Sequence, residues 1–450
     1  MNDVYLIQMI IAATIAAILY TIIGATPGAD ETATIAPITL ILVLTGLQPI
    51  VVLAFFMSAI VASKLIDAVP ISVAGIPAGV MSTPMVEHAQ LLKKEGLTDV
   101  SIRKIASGAI IGNLVSIPVS LLLANILVPF ANVIKEYGDI VFFLGAILLA
   151  LMSRHRWISL VIILPFALLI QGLRYLYWEI GAVQQGTNVF TSFFLAITIG
   201  PAILSLFELL NSEKRNKMKT YHKKSIGLKK EVTMKGLPNP FKILSGREIG
   251  YSTLASFIGS IIFMLSPVGL TIFFGELFAS RTKDPIKKAS LAVTCMEALA
   301  QSTYIAGTLI PLIALGIPLS PVAIGPANPL FNAQPVFSLE HNMHHVLSMS
   351  DFIWATIIGA GIASVFTYSI AVKYSRKVCL FFIQKIPHEA ILGLFLSLVL
   401  LLAYMDGGFV NIAGILLIGL VSGVLHRLGV NYGVLFMILY AAPWLVLSIS

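Results

Sequence analysis

Charge is scarce in this sequence, and so is cysteine. Only 11% of the 450 residues are Asp, Glu, Lys or Arg, against 58% hydrophobic. A soluble domain needs a polar surface, so this balance excludes an ordinary soluble protein and makes the bilayer the solvent. The mean hydropathy of +0.94 agrees. Cys295 and Cys379 are the only two cysteines, and they have no metal-type spacing, which excludes a disulfide scaffold. A phosphate-binding glycine loop, a hydrolase triad and a zinc-helix motif are all missing, so no enzyme is expected. His341, His344 and His345 have the spacing of a metal site, but no acidic or cysteine cluster completes it beyond Glu340 and Asp351. They are expected in an exposed outer loop, with no metal.

Long apolar runs are what the chain does have. They recur along its whole length at the 17 to 25 residues that cross a bilayer as a helix. The runs are continuous rather than alternating, which fits helices better than barrel strands, because every backbone group in lipid needs an internal partner. The first run, Tyr5 to Gly24, has no basic segment ahead of it and no small-residue cleavage site, and is expected to stay as a helix. The fold class expected is an all-α polytopic membrane protein with roughly 10–14 membrane segments.

Basic residues set a topology. Segments at Lys93 to Lys104, Arg154 to Arg156, Lys214 to Arg247, Arg281 to Lys288, Lys373 to Lys385 and Arg427 hold 26 of the 29 Lys and Arg residues. Alternating spans place all six on one side, which the positive-inside rule makes cytoplasmic. Both termini then fall outside, and Arg174, Tyr175, Tyr177 and Trp178 read as an outer interfacial belt. Residues 212–247 form the one long polar stretch, a cytoplasmic linker between a first transmembrane repeat, 1–211, and a second, 248–450. Its excess of lysine fits a solvated connector held near anionic lipid; the alternative is a regulatory or nucleic-acid site. No nucleic-acid partner is expected.

The same punctuation occurs twice, about 240 residues apart. Pro27 is followed fifty residues later by the turn Gly75-Ile76-Pro77, and Pro267 fifty-one residues later by Gly316-Ile317-Pro318. Helix breakers then follow in both, from Ala78 to Pro84 and from Leu319 to Pro329. On the charge topology one copy begins outside and the other inside, so the halves read as inverted-topology repeats with broken or re-entrant helices. That is a recurring architecture of secondary transporters, which alternate access by exchanging the conformations of their halves. Proline removes a donor and glycine loosens the backbone, so freed carbonyls and amides need protein, water, ion or substrate as partners. A proline kink satisfied by neighbouring helices is the alternative for any one motif.

Ionisable residues in apolar runs are functional candidates. Asp30 and Glu31 follow a broken helix; they could bind Na+ or take up H+ as the coupling ion, or sit at the cytoplasmic rim as helix N-terminal charges. Lys64 and Asp67, three apart, share one helix face, either as a neutralised pair or with Lys64 as the counter-charge to a carboxylate. Glu276 and Glu297 are the comparable acids of the second half. Thr26, Thr32, Ser82, Thr83, Ser266, Thr271, Gln301, Ser302 and Thr303 supply hydroxyls and amides near the breaks, able to bind carboxylate or to bond their own backbone. With Pro27, Gly28, Gly75, Pro77, Pro267, Gly269, Gly307, Pro311, Gly316 and Pro318 at the breaks, these make the candidate binding set.

The run Gly307-Thr-Leu-Ile-Pro311-Leu-Ile-Ala-Leu-Gly316-Ile-Pro318 resembles, almost position by position, the second-half signature of the large membrane subunit of the tripartite tricarboxylate transporter family. Ile23 to Gly28 resembles that family's first proline-glycine motif, and Gly75-Ile76-Pro77 the turn after it. Phe193 to Leu210 and Tyr404 to Met437, with Asp406, Gly407, Arg427, Leu428 and Gly429, also follow the pattern. The resemblance implies a permease in a prokaryotic cell membrane that carries small carboxylates by ion coupling. It also implies a small membrane subunit and an extracytoplasmic binding protein as partners; membrane lipid is a further partner, and a homo-oligomer stays open. Four departures stand out. Ser266-Pro267-Val268-Gly269 replaces the second proline-glycine motif, and Gln301-Ser302 replaces paired asparagines. The segment after Pro77 is short, and Asp30 and Glu31 stand where the family is small or uncharged. They motivate an alternative of a different class, a lipid-handling or scaffold protein that keeps the fold and has lost solute transport; a channel is the weaker third reading.

Overall fold

The computed structural model describes residues 3–26, 31–74, 80–130, 137–153, 155–183, 189–209, 212, 238–263, 267–374 and 388–448. Among them there is no strand beyond two isolated bridges in the 333–341 loop. Short helical turns aside, the helices are α1 Asp3–Gly24, α2 Glu31–Leu44, α3 Pro49–Ala74, α4 Val86–Lys94, α5 Thr98–Leu127, α6 Gly138–Met152, α7 Arg156–Val161 and α8 Ile163–Glu179. They continue with α9 Phe190–Thr198, α10 Gly200–Leu209, α11 Gly246–Ile261, α12 Pro267–Ala279, α13 Pro285–Ile310, α14 Met349–Lys373, α15 His388–Arg427 and α16 Tyr432–Leu447. Among the described residues seven segments are long and apolar enough to cross a membrane, and four shorter apolar helices accompany them. The fold class is the expected one, an all-α polytopic membrane protein.

Helix α1 shows why lipid is the solvent. Met9, Ala13, Ala16, Ala17 and Tyr20 are buried along one face, while Ile7, Ile11, Ile15, Ile18 and Ile22 are exposed along the other. A helix apolar on all sides finds no stable place at a water interface. Trp157, Phe273, Val365 and Phe409 continue the exposed apolar surface on other helices.

The helices pack in two groups. One holds α1, α3, α5, α11, α13 and α14, flanked by α2, α4 and α12; the other holds α6, α8, α9, α10, α15 and α16. Each group draws helices from both sides of the 212–247 segment. Within the first group the pairings repeat: α1 on α3 is matched by α11 on α13, α2 on α3 by α12 on α13, α1 on α14 by α11 on α5, and α3 on α14 by α13 on α5. Glycines set the closest of these approaches. A Cβ on Gly112 of α5 would lie 2.7 Å from the Ala298 carbonyl of α13, and one on Gly359 of α14 would lie 2.9 Å from Met57 Cβ of α3. Small residues that let backbones approach are how helices associate where the hydrophobic effect gives no help. Helices α3 and α13, each 26 residues long, are the most enclosed spans.

The interfacial belt is only partly as expected. Tyr175 is exposed, but Tyr177 is buried, and Arg174 is turned inward to donate to Gln171 Oε1 at 3.0 Å.

Candidate functional site

Four ionisable side chains from three helices meet inside the first group. Lys64 and Asp67 stand three residues apart on α3, with Nζ and Oδ2 4.0 Å apart. Glu31, the first residue of α2, forms an ion pair with Lys64. Ser82, in the 3₁₀ turn Val80–Met85, donates to Asp67 and accepts from Lys64 Nζ at 3.4 Å. The Lys64 ammonium also lies 5.8 Å from the Tyr304 ring centroid of α13. All of these side chains are buried. The lysine is therefore a neutralised centre, engaged by two acids, a hydroxyl and an aromatic face, and not a free counter-charge. Glu31 is both a helix N-terminal acid and a member of this knot. Asp30 lies outside the described residues.

Glu297 is the fourth member. It stands halfway along α13, 0% exposed, within electrostatic range of Lys64, Asp67 and Glu31. Neither of its carboxylate oxygens has a hydrogen-bond partner among the described residues. Buried polar atoms are almost always paired, so an orphaned carboxylate needs an explanation. Glu276, the other acid of the second half, lies elsewhere, against His88 at 2.5 Å and Lys288 at 3.6 Å.

The break at the end of α13 follows from its sequence. Pro311 has no N–H, so it leaves the Gly307 carbonyl without its helical donor. Ser320 Oγ donates to that carbonyl instead, in a space that a Cβ on Gly307 would fill. A π turn, Pro311–Leu315, carries the chain to Gly316, whose φ of +66° is the left-handed conformation glycine favours. Asn342 Nδ2 then donates to the Gly316 carbonyl and His344 Nδ1 to the Ile313 carbonyl, both at 2.8 Å. His341 and His345 are exposed as expected, but His344 is half-buried as the clasp over the break. Pro318 is buried beside it.

The remaining candidates divide. Gln301 Nε2 donates to Asn113 Oδ1 of α5 at 2.6 Å, and Asn113 Nδ2 to Ser364 of α14 at 3.2 Å. The Gln301 carbonyl oxygen has no partner. Ser302 and Thr303 bond carbonyls of their own helix, and Thr26 that of Ile22. Thr271 is buried on α12. Thr32, Thr83, Pro267 and Gly269 are placed by backbone alone, and Pro27, Gly28, Gly75, Pro77 and Ser266 lie outside the described residues.

Two groups were missed by sequence reasoning. Asn328, in the 3₁₀ turn Asn328–Leu330 that packs on α2, accepts from the Tyr440 hydroxyl while its Nδ2 is buried without an acceptor. Thr308 Oγ1 is likewise unpaired, on the turn of α13 before the break. A buried asparagine among Gly, Pro and Ala was the available signal for the first. Pro70 is a third omission. It stands inside α3 and gives the first half a Pro-x₄-Gly-Ile-Pro run like Pro311 to Pro318.

Long apolar helices with exposed apolar faces around buried, broken spans are the architecture of a multi-pass membrane protein. The chain belongs to the tripartite tricarboxylate transporter TctA family, which matches residues 10–437. Membership makes it a transporter permease component. No curated protein and no solved structure gives a match.

Proposed function

We propose that this chain is an ion-coupled permease for small organic carboxylates, working by alternating access between two inverted halves, 1–211 and 248–450. The observation that carries the reading is the buried knot of Glu31, Lys64, Asp67 and Glu297, built from helices of both halves in a chain of the TctA family. Intramembrane charges are costly and are kept where they bind ions or substrate. The repeated pairings of α1, α2, α3 and α5 with α11, α12, α13 and α14 support the two-repeat reading.

Because Lys64 is already neutralised, the carboxylate is met by neutral donors. Asn328 Nδ2, buried and without an acceptor, is the leading one, and the hydroxyl of Thr308 adds a second. Hydrogen bonds to an ionised carboxylate are the stronger kind, so uncharged donors suffice for recognition. The chain sits in a prokaryotic cell membrane with both termini outside and 212–247 in the cytoplasm. It works beside a small membrane subunit and an extracytoplasmic solute-binding protein, as the tripartite family name supports.

The test is uptake into proteoliposomes of labelled citrate and a panel of other di- and tricarboxylates, under imposed proton or sodium gradients, with a binding protein supplied. Gradient-dependent accumulation of at least one acid is expected, and loss of it in Asn328→Leu. Absence of flux for every acid and both ions would overturn the reading.

A further inference from the structure

We infer that Glu297 is the residue that takes up and releases a coupling proton, an assignment that deepens the permease reading above and rests on it. The argument begins with unequal hydrogen bonding among three acids. Glu31 receives the Lys64 ammonium, and Asp67 receives the Ser82 hydroxyl and lies 4.0 Å from the same ammonium. Each of these two carboxyl groups thus has a donor against it. Glu297 receives no donor among the described residues.

Charge balance then decides which acid is neutral. Within the knot, among the described residues, one lysine faces three acids. Were all three ionised, two negative charges would remain uncompensated in an enclosed apolar bundle, and burying an unpaired ion costs several kcal/mol. Buried acids escape that cost by binding a proton. The acid without donors is the one whose ionised form the protein does least to stabilise.

Other charges nearby do not alter this. Of the elements packed on α13, α4 brings His88 and α12 brings Glu276, which bond each other at 2.5 Å. Helix α5 brings Lys104 and α11 brings Glu248, also 2.5 Å apart and joined by Ser290 and Ser245. Glu276 pairs further with Lys288 of α13 itself. Tyr304 of α13 stands beside Lys64. Cys295, two residues before Glu297, is turned to Ser252 of α11. Lys64, Asp67 and Glu31 are the charges that act on Glu297.

A bare cation is the other way to neutralise a carboxylate. Among the described residues no three His, Cys, Asp or Glu side chains are grouped to hold a metal ion; a sodium ion held by carbonyl and hydroxyl oxygens is the competitor that exchange of sodium for choline tests. A proton needs only the one carboxylate. Gln301 and Thr308, four and eleven residues further along α13, share its face and carry the unpaired Oε1 and Oγ1. They line the direction from Glu297 to the break at Pro311. Deprotonation transfers the proton to water and raises the uncompensated negative charge of the knot from one to two. It is therefore confined to the conformation in which water reaches α13, which ties proton release to opening of the site.

Infrared difference spectroscopy on the purified full-length protein tests this without any substrate. At neutral pH the wild type should show the C=O absorption of a protonated carboxyl group, which is lost on alkaline titration. It should be lost entirely in Glu297→Gln and unchanged when sodium chloride replaces choline chloride. Glu297→Asp, which guards against a misfolded glutamine variant, should keep the band at a shifted frequency. A wild type without the band, a band that survives in Glu297→Gln or is unshifted in Glu297→Asp, or a band abolished by sodium would overturn the assignment. An intact band with no carboxylate flux in proteoliposomes would overturn the permease reading instead.

Discussion

Removing the Lys64 ammonium leaves Glu31 and Asp67 buried without that cation, while Ser82 still donates to Asp67. Breaking one side of a buried pair costs roughly 3–5 kcal/mol, whereas replacing both sides with apolar groups is close to neutral. Lys64→Met is therefore expected to lower the thermal unfolding temperature in detergent sharply. Adding Glu31→Met should restore part of that loss, as a double-mutant cycle will read directly. A loss in the double variant equal to the sum of the two single losses would show that the two groups do not interact. Lys64 and Asp67 were legible in the sequence because charges interrupt an apolar run. The solitude of Glu297 was not, since a sequence displays a residue but not its missing partners. Asn342 and His344 were hidden for the converse reason: their role is to satisfy backbone carbonyls some thirty residues away in the chain.

The helical elements end where the sequence releases a backbone group and end cleanly where a side chain takes it up. Pro311 frees the Gly307 carbonyl, and Ser320 reclaims it. Ser320→Ala leaves that carbonyl buried and unpaired at a cost of about 1–3 kcal/mol. Hydrogen exchange is expected to rise over 305–324 in that variant while α3 is unaffected; unchanged exchange there would rule out the serine as the clamp. The packing of α5 on α13 makes a second prediction. Gly112→Leu forces a side chain against Ala298 and Gln301 and should cost about 1–3 kcal/mol or more, whereas Gly172→Leu, which meets nothing, should cost little. Helix existence and the Gly316 turn could be read from apolar runs and glycine-proline spacing. That α13 ends in a π turn could not, because the choice between kink and π turn depends on what lies beside Gly307. Gly407 and Gly408 leave helical geometry and kink α15 between its two parts.

At the level of the molecule, the halves of the sequence are not the two packing groups. Helices α5 and α13 lie against each other, as do α3 and α14, so the first group interleaves material from both sides of the 212–247 segment. Composition reports that the chain is an all-α, multi-pass membrane protein, but not which spans pack together. Interleaving predicts that chains cut within 213–237 and expressed together will copurify as a complex, while either piece alone will aggregate. Recovery of a monodisperse, helical first piece by itself would contradict it. The most direct test of the account as a whole is carboxylate movement in proteoliposomes by the wild type and Glu297→Gln, comparing uptake driven by an inward proton gradient with exchange at equal pH on both sides. The account predicts that the wild type accumulates labelled acid and that Glu297→Gln exchanges it but does not accumulate it. Gradient-driven accumulation by Glu297→Gln equal to that of the wild type would contradict it.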